Sequence, residues 1–152
     1  MAFLWSCNNS NSAGSEVPVS VNNVPPPSPV SYTLLNIYPH DTTAFTQGLV
    51  FYNNQLYEGT GQKKASTLRK VDYKTGAIQK KIDIDPNLFG EGITILNDTL
   101  YQLTWQDHIV LVYSLKDLKK VRTAYWNREG WGITHDNTNL IISDGTDKLY
   151  FV

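Results

Sequence analysis

A repeat of about forty residues is the feature that most constrains the fold of this chain. Gly48, Gly92 and Gly132 are separated by 44 and 40 residues, and each is followed by an apolar stretch, a polar turn and a second apolar stretch. Two more strand patterns complete each of the first two units, and no stretch shows sustained helical periodicity. Four short strands per unit at this period indicate the blades of a β-propeller.

The strands that complete the units are predicted from apolar patterns bounded by turn residues. Their predicted ranges are 56–58, 67–73 and 77–84 in the first unit, 100–102, 108–114 and 118–126 in the second, and 140–142 and 149–152 in the third. The first hairpin turn of each unit carries Asn or Asp, at Asn53-Asn54, Asn97-Asp98 and Asn137. These side chains tolerate positive φ, so they favour tight turns at these positions.

The number of repeats predicts an all-β fold that is part of a propeller. Residues 47–152 are 106 residues, or about two and a half periods, whereas a propeller closes with at least about four blades. We therefore expect the N-terminal part of a longer protein, which by itself would be poorly soluble and inactive. The alternative is a small open β-sheet protein that happens to repeat. A further strand pattern at 32–38 is predicted to pair with the last blade of a complete ring.

The first thirty residues differ in composition from the rest of the chain. Residues 1–7 end in Ser6-Cys7 and resemble the end of a bacterial lipoprotein signal, so Cys7 is the predicted lipidation site. Residues 8–30 hold five of the seven prolines and one charged side chain, which predicts a disordered tether. Residues 31–152 are then the propeller domain, and the protein is expected in the bacterial envelope, periplasmic or held at the membrane by lipid. The alternative for Cys7 is a free thiol in a flexible tail.

Charge and metal-ligand spacing exclude several classes of function. Thirteen basic residues against fourteen acidic ones argue against nucleic-acid binding, which needs a basic excess. Cys7 is the only cysteine, so the chain can form neither an intrachain disulfide nor a thiolate metal cluster. His40, His108 and His135 lie far apart in the sequence, and we expect neither a metal nor another cofactor.

The candidate site consists of the residues directly before the repeated glycines, which are Gln47, Glu91 and Trp131. The innermost strands of propeller blades line a central channel, so equivalent positions converge at one face. Glu58 and Trp105 are predicted to lie near the same rim. The alternative is that the tryptophans are spacers between blades and that the acidic residues cap turns.

Seven short motifs then occur in an order and at spacings that resemble the plant-type glutaminyl-peptide cyclotransferases and their bacterial relatives. The similarity covers about residues 32–152. The motifs are Tyr38-Pro39-His40-Asp41, Phe45-Thr46-Gln47-Gly48-Leu49, Tyr57-Glu58-Gly59-Thr60-Gly61, Gly90-Glu91-Gly92-Ile93-Thr94, Leu103-Thr104-Trp105, Glu129-Gly130-Trp131-Gly132 and Ser143-Asp144-Gly145.

The resemblance implies a five-bladed propeller, monomeric when complete, that converts the N-terminal glutamine of a peptide to pyroglutamate and releases ammonia. It implies that Glu91 is the catalytic residue, that Gln47 helps to hold the substrate, and that Trp105 and Trp131 enclose it. Glu58 receives no catalytic role. The family's other pocket residues, an asparagine, a tryptophan and a lysine from later blades, would follow Val152.

Two other functions fit the residues. One is a propeller that binds a peptide or another ligand without catalysis. The other is a sugar hydrolase on the same scaffold, which would need a second carboxylate near Glu91. Glu129 is the candidate for that second carboxylate.

Overall fold

The computed structural model describes residues 25–152, and residues 35–152 form one compact unit. Every regular element among the described residues is a β-strand, in agreement with the all-β prediction. The strands are β1 (Thr46–Tyr52), β2 (Gln55–Thr60), β3 (Thr67–Val71), β4 (Ile78–Asp83), β5 (Gly90–Leu96), β6 (Thr99–Thr104), β7 (Ile109–Ser114), β8 (Lys120–Tyr125), β9 (Ile133–His135), β10 (Leu140–Ser143) and β11 (Leu149–Phe151).

Each unit of the sequence repeat forms one antiparallel sheet, or blade. The first blade has the order β1-β2-β3-β4, the second β5-β6-β7-β8 and the third β9-β10-β11. Consecutive strands are therefore neighbours within each blade, and the predicted strands of the three units lie within two residues of the observed ones. The innermost strands β1, β5 and β9 pack side by side. This is the arrangement of propeller blades around a common axis.

The hairpin turns have the geometry that their residues predict. Asn53 and Asn54 both have positive φ, as do Asn97 and Asp98 at the equivalent turn of the second blade. Asn137, in the corresponding turn of the third blade, has φ 75°. A right-handed strand twist is matched by turns with positive φ, so these residues let each first strand return directly into the second.

Residues 32–38 form no strand among the described residues. Their predicted partner is the last blade of a complete ring, so that pairing remains a prediction. Residues 31–40 belong to none of the three sheets of the described chain. A strand exists only through hydrogen bonds to a neighbouring strand, and an apolar pattern alone does not provide that neighbour.

The repeated glycines allow the innermost strands to approach each other closely. A Cβ added at Gly48 would lie 2.4 Å from the backbone nitrogen of Ile93 on β5. One added at Gly92 would lie 2.6 Å from the backbone oxygen of Trp131, just before β9. Both contacts are far below van der Waals distance and involve backbone, which cannot rotate away as a side chain can. The close contact between neighbouring blades therefore requires glycine at these two positions.

Apolar side chains fill the space between neighbouring blades. Leu68 of the first blade and Leu100 and Tyr113 of the second belong to one buried cluster. A second cluster joins Leu103 of the second blade to Ile142 of the third. The outermost strands β4 and β8 are mostly exposed by contrast. Burial between blades, rather than within one sheet, therefore stabilises the stack.

The N-terminal predictions fall outside the residues that the structure describes. These are the signal remnant 1–7 with its lipidation site Cys7, and most of the tether 8–30. Among residues 25–152, no helix has the length and apolar character needed to cross a membrane.

In the complete protein we expect Gly92→Ala to be destabilising, because its Cβ would force β5 away from Trp131 and the start of β9. Overpacking of this kind costs about 1–3 kcal/mol, measurable as a lower unfolding free energy in urea. Gly132→Ala is the matched control, since a Cβ there would meet only the Ser143 Oγ atom, at 3.0 Å. Equal stability losses for the two variants would contradict the assignment of close packing to Gly92.

Candidate active site

One cavity of about 300 Å³ brings together all four residues that the sequence predicted for catalysis and substrate binding. It is lined by Gln47, Phe89, Glu91, Trp105 and Trp131. Three of the five stand directly before the repeated glycines, so the close packing of the innermost strands sets their spacing. The catalytic and binding roles of these residues remain predictions.

Backbone hydrogen bonds fix the segments that carry the aromatic walls. The backbone nitrogen of Trp105 donates to the carbonyl of Phe89 at 3.0 Å, and the two rings pack edge to face with centroids 5.8 Å apart. The carbonyl of Trp131 accepts a hydrogen bond from the nitrogen of Gly92 at 2.9 Å. The third blade is thereby attached to the second immediately beside Glu91.

Phe89 is a pocket residue that the sequence analysis did not identify. It stands three residues before Gly92, as Phe45 stands three residues before Gly48. The repeat register therefore contained a signal for this residue. Only the structure shows that the ring of Phe89 lines the cavity.

Glu129 connects the two tryptophan walls. Its Oε2 atom accepts hydrogen bonds from the indole nitrogens of both Trp105, at 2.9 Å, and Trp131, at 3.0 Å. Its Oε1 atom accepts a third bond from Gln106 at 3.1 Å. These donors stabilise the ionised carboxylate, and the bond from Trp131 is the largest contribution to a lowered pKa of Glu129. Glu129 does not line the cavity itself.

Glu91 has the opposite electrostatic environment. Its side chain is half-buried, and burial is the main reason why its pKa is raised to about 7. The negative charge of Glu129 raises the pKa further. A carboxyl group with this pKa is present in both protonation states near neutral pH, as a residue that accepts and then donates a proton requires.

Glu58, which the sequence analysis predicts near the rim of the pocket, does not line the cavity. Its side chain is 1% exposed inside the first blade. It accepts hydrogen bonds from Thr46 at 2.5 Å and pairs with His40 at 2.9 Å, and Arg69 lies 3.8 Å away. The reason is its place on β2 between β1 and β3, opposite Leu49 and Arg69 in register.

No three His, Cys, Asp or Glu side chains come together as metal ligands would within residues 25–152. The three histidines have separate partners. His40 pairs with Glu58, His108 with the carbonyl of Arg128, and His135 with the backbone nitrogen of Asn137.

Comparison with known proteins decides the family. The sequence model described as Glutamine cyclotransferase matches residues 4–152. The chain belongs to the glutamine cyclotransferase family. A glutaminyl-peptide cyclotransferase of Arabidopsis thaliana is 41% identical over 115 residues, which make up 74% of this chain and 36% of that protein.

Solved structures agree with this family and with the propeller fold. The crystal structure of Myxococcus xanthus glutaminyl cyclase matches with a TM-score of 0.72 at 35% identity, covering 78% of this chain and 50% of that one. The β-propeller domain of Myceliophteria thermophila Cps50 (Swd1) matches at 15% identity with a TM-score of 0.55, over 76% of this chain and 36% of that domain. The latter match supports the fold alone. The chain thus spans half or less of the length of these proteins.

In the complete protein we expect Glu91 to titrate near pH 7 in carboxyl ¹³C NMR spectra, because burial and Glu129 both disfavour its charge. Its folded-state pKa lies above the usual value of 4.5. Its contribution to stability is therefore present below about pH 4.5 and lost as the pH rises through about 7.

The variant Glu129→Gln provides the control for this titration. Removing the charge should lower the midpoint of Glu91, while burial keeps it above the usual value. A wild-type midpoint near 4.5 would show that the pocket does not perturb Glu91.

Proposed function

We propose that the complete protein containing these residues is a glutaminyl-peptide cyclotransferase, with Glu91 as its catalytic residue. It converts the N-terminal glutamine of a peptide to pyroglutamate and releases ammonia. The observation that carries this proposal is the half-buried Glu91, with a pKa of about 7, in an aromatic cavity of a chain that belongs to this family.

The reaction needs one group that moves a proton between two nitrogens. The α-amino nitrogen attacks the γ-carbonyl carbon, forming the new C–N bond of a tetrahedral intermediate. The attacking nitrogen must lose a proton, and the amide nitrogen must gain one before its C–N bond breaks and ammonia leaves. Glu91 begins as a carboxylate, accepts the first proton and delivers it to the leaving nitrogen. In the intermediate both nitrogens are bonded to the same tetrahedral carbon, one within the new five-membered ring and one outside it, so a single carboxyl group can reach both.

The other lining residues bind and orient the substrate. A cavity of about 300 Å³ lies at the small end of the range for ligand sites and suits a glutamine side chain. The rings of Trp105 and Trp131 cover it and exclude water, which strengthens the electrostatic interactions inside. The amide of Gln47 offers both a donor and an acceptor to the substrate. These roles follow from the kinds of group that face the cavity.

The chain spans half of the Myxococcus enzyme and about a third of the Arabidopsis one. We therefore propose that activity belongs to a closed, monomeric propeller of five blades. Later blades would supply the remaining pocket groups, which the family resemblance gives as an asparagine, a tryptophan and a lysine. The proposed chemistry uses no metal or other cofactor.

The two alternatives fit the site less well. In a propeller that only binds a ligand, nothing would require a carboxyl group whose pKa is raised to about 7. A sugar hydrolase would need a second carboxylate facing the substrate. Glu129 does not line the cavity, and three donors occupy its two oxygens.

We expect Glu91→Gln in the complete protein to lower kcat by roughly 10²–10⁴-fold with little change in KM, because the amide keeps the shape but cannot accept the proton. Trp105→Ala should also raise KM, since it opens the pocket to water. The measurement is ammonia release from a dipeptide that begins with glutamine, with a dipeptide that begins with glutamate as the substrate control.

Asp98→Asn is the matched control variant, because it makes the same chemical change in an exposed hairpin turn. It should leave both constants unchanged. Near-normal turnover in Glu91→Gln would remove this residue from the mechanism, and direct inhibition by a chelator would contradict a reaction without metal.

We also propose that the protein is exported and held in the bacterial envelope by a lipid on Cys7. The support is the Ser6-Cys7 pair and the proline-rich stretch that follows it. In the complete protein, Cys7→Ala should shift the protein from the detergent phase to the aqueous phase on phase partitioning. An unmodified Cys7 in the exported protein, detected by mass spectrometry, would refute the proposal.

A further inference from the structure

We propose that Glu129 is the positioning residue of the pocket, which holds both tryptophan walls in place through a single carboxylate oxygen. The indole nitrogens of Trp105 and Trp131 both donate to its Oε2 atom, at 2.9 and 3.0 Å. This inference rests on the proposed function, because it assigns the role by which Glu129 assists substrate binding.

The repeat register shows that blade packing alone does not require an acidic residue here. Glu129 stands three residues before Gly132, in the position that Phe45 and Phe89 occupy before Gly48 and Gly92. Two blades therefore carry an aromatic ring where the third carries a carboxylate. The third blade is also the one in which the residue directly before the repeated glycine is a tryptophan, Trp131. Its indole N–H needs a hydrogen-bond acceptor.

Packing leaves the two rings incompletely fixed. Trp131 is 48% exposed, and its ring rests on the backbone of Gly145, where an added Cβ would lie 2.7 Å from ring atoms. Trp105 is half-buried and contacts Phe89 on one side. An indole ring that can rotate about its side-chain bonds is fixed only by a further contact. The indole N–H is the group that can form one, as a hydrogen-bond donor.

Sharing one acceptor couples the two walls. Hydrogen bonds to an ionised acceptor are shorter and about twice as strong as neutral ones, and here one charged oxygen accepts both. A shift of either ring would weaken its bond to the atom that also holds the other ring. The carboxylate is itself held by Gln106, whose amide donates to Oε1 at 3.1 Å.

The geometry separates this role from that of Glu91. Glu129 does not line the cavity, so it acts on the substrate through the two rings. Its backbone carbonyl also accepts a hydrogen bond from the indole of Trp126, at 3.1 Å. This third indole hydrogen bond does not involve the carboxylate, so it provides an internal reference for variants of the side chain.

The test compares Glu129→Leu with Glu129→Gln. Leucine removes the acceptor, whereas glutamine keeps an oxygen for the indoles but no charge. In the complete protein we expect Glu129→Leu to raise KM for a glutamine-initiated dipeptide by about tenfold or more, with a smaller fall in kcat. Glu129→Gln should give an intermediate KM, which is the rescue expected from a conservative variant.

The second readout is the indole ¹⁵N–¹H NMR spectrum of protein labelled with [¹⁵N]tryptophan, with peaks assigned through Trp105→Phe and Trp131→Phe. In Glu129→Leu the peaks of Trp105 and Trp131 should shift and exchange faster with water, while that of Trp126 stays in place. If Glu129→Leu does not fold, Glu129→Gln must still shift the same two peaks and not the third.

Wild-type KM together with unshifted indole peaks in Glu129→Leu or Glu129→Gln would overturn the proposal. A wild-type protein that does not cyclise glutamine would refute the proposed function instead. The indole spectra would then still show whether Glu129 holds the two rings.

Discussion

The close contact between the innermost strands is the constraint on which the rest of this structure depends. Gly48 lies against the backbone of Ile93, and Gly92 against the backbone of Trp131, at distances that no Cβ could occupy. Glycine at these positions lets successive blades approach until their apolar clusters close. The residue directly before each repeated glycine lies beside this contact between strands. Gln47, Glu91 and Trp131 are therefore brought to one cavity. The same contact that packs the blades therefore builds the pocket.

The site uses two carboxyl groups in opposite ways. Glu91 faces the cavity, where burial raises its pKa to about 7. Glu129 lies behind the walls, where hydrogen bonds from Trp131, Gln106 and Trp105 lower its pKa. The environments push the two pKa values apart, which supports the proposal that Glu91 transfers the proton while Glu129 keeps its negative charge. The fixed charge also helps to keep Glu91 partly protonated.

Much of the fold could be predicted from the sequence, because the same residue types recur in the chain at the spacing at which the blades recur in the structure. The glycine spacing predicted the blades, and the Asn and Asp residues predicted the hairpin turns. The segment 32–38 is not a strand among the described residues, and its pairing with the last blade of a complete ring remains a prediction. Glu58 is buried within the first blade and does not line the cavity, because β2 lies between two other strands and residues 57–60 are all buried. Period-two alternation then gives no indication of which face a side chain occupies.

The pocket residues that occupy equivalent positions of the repeat could be predicted from the sequence. The hydrogen bonds that connect the pocket walls through Glu129 could not. Gln47, Glu91 and Trp131 repeat in register, so their convergence followed from the fold class. Phe89 also repeats, with Phe45, but a phenylalanine near a glycine is as easily a core residue as a pocket residue. The two bonds to Glu129 depend on side-chain directions, which no spacing in the sequence encodes.

The most direct test of this account is the crystal structure of the complete protein bound to a peptide that begins with pyroglutamate, the proposed product. We expect the pyroglutamyl ring between Trp105 and Trp131, with the carboxyl group of Glu91 within hydrogen-bond distance of the ring nitrogen. A ring bound at another cavity, such as the neighbouring one lined by Lys63, Lys64 and Asp107, would contradict it. So would a ring in the predicted cavity whose nitrogen faces away from Glu91.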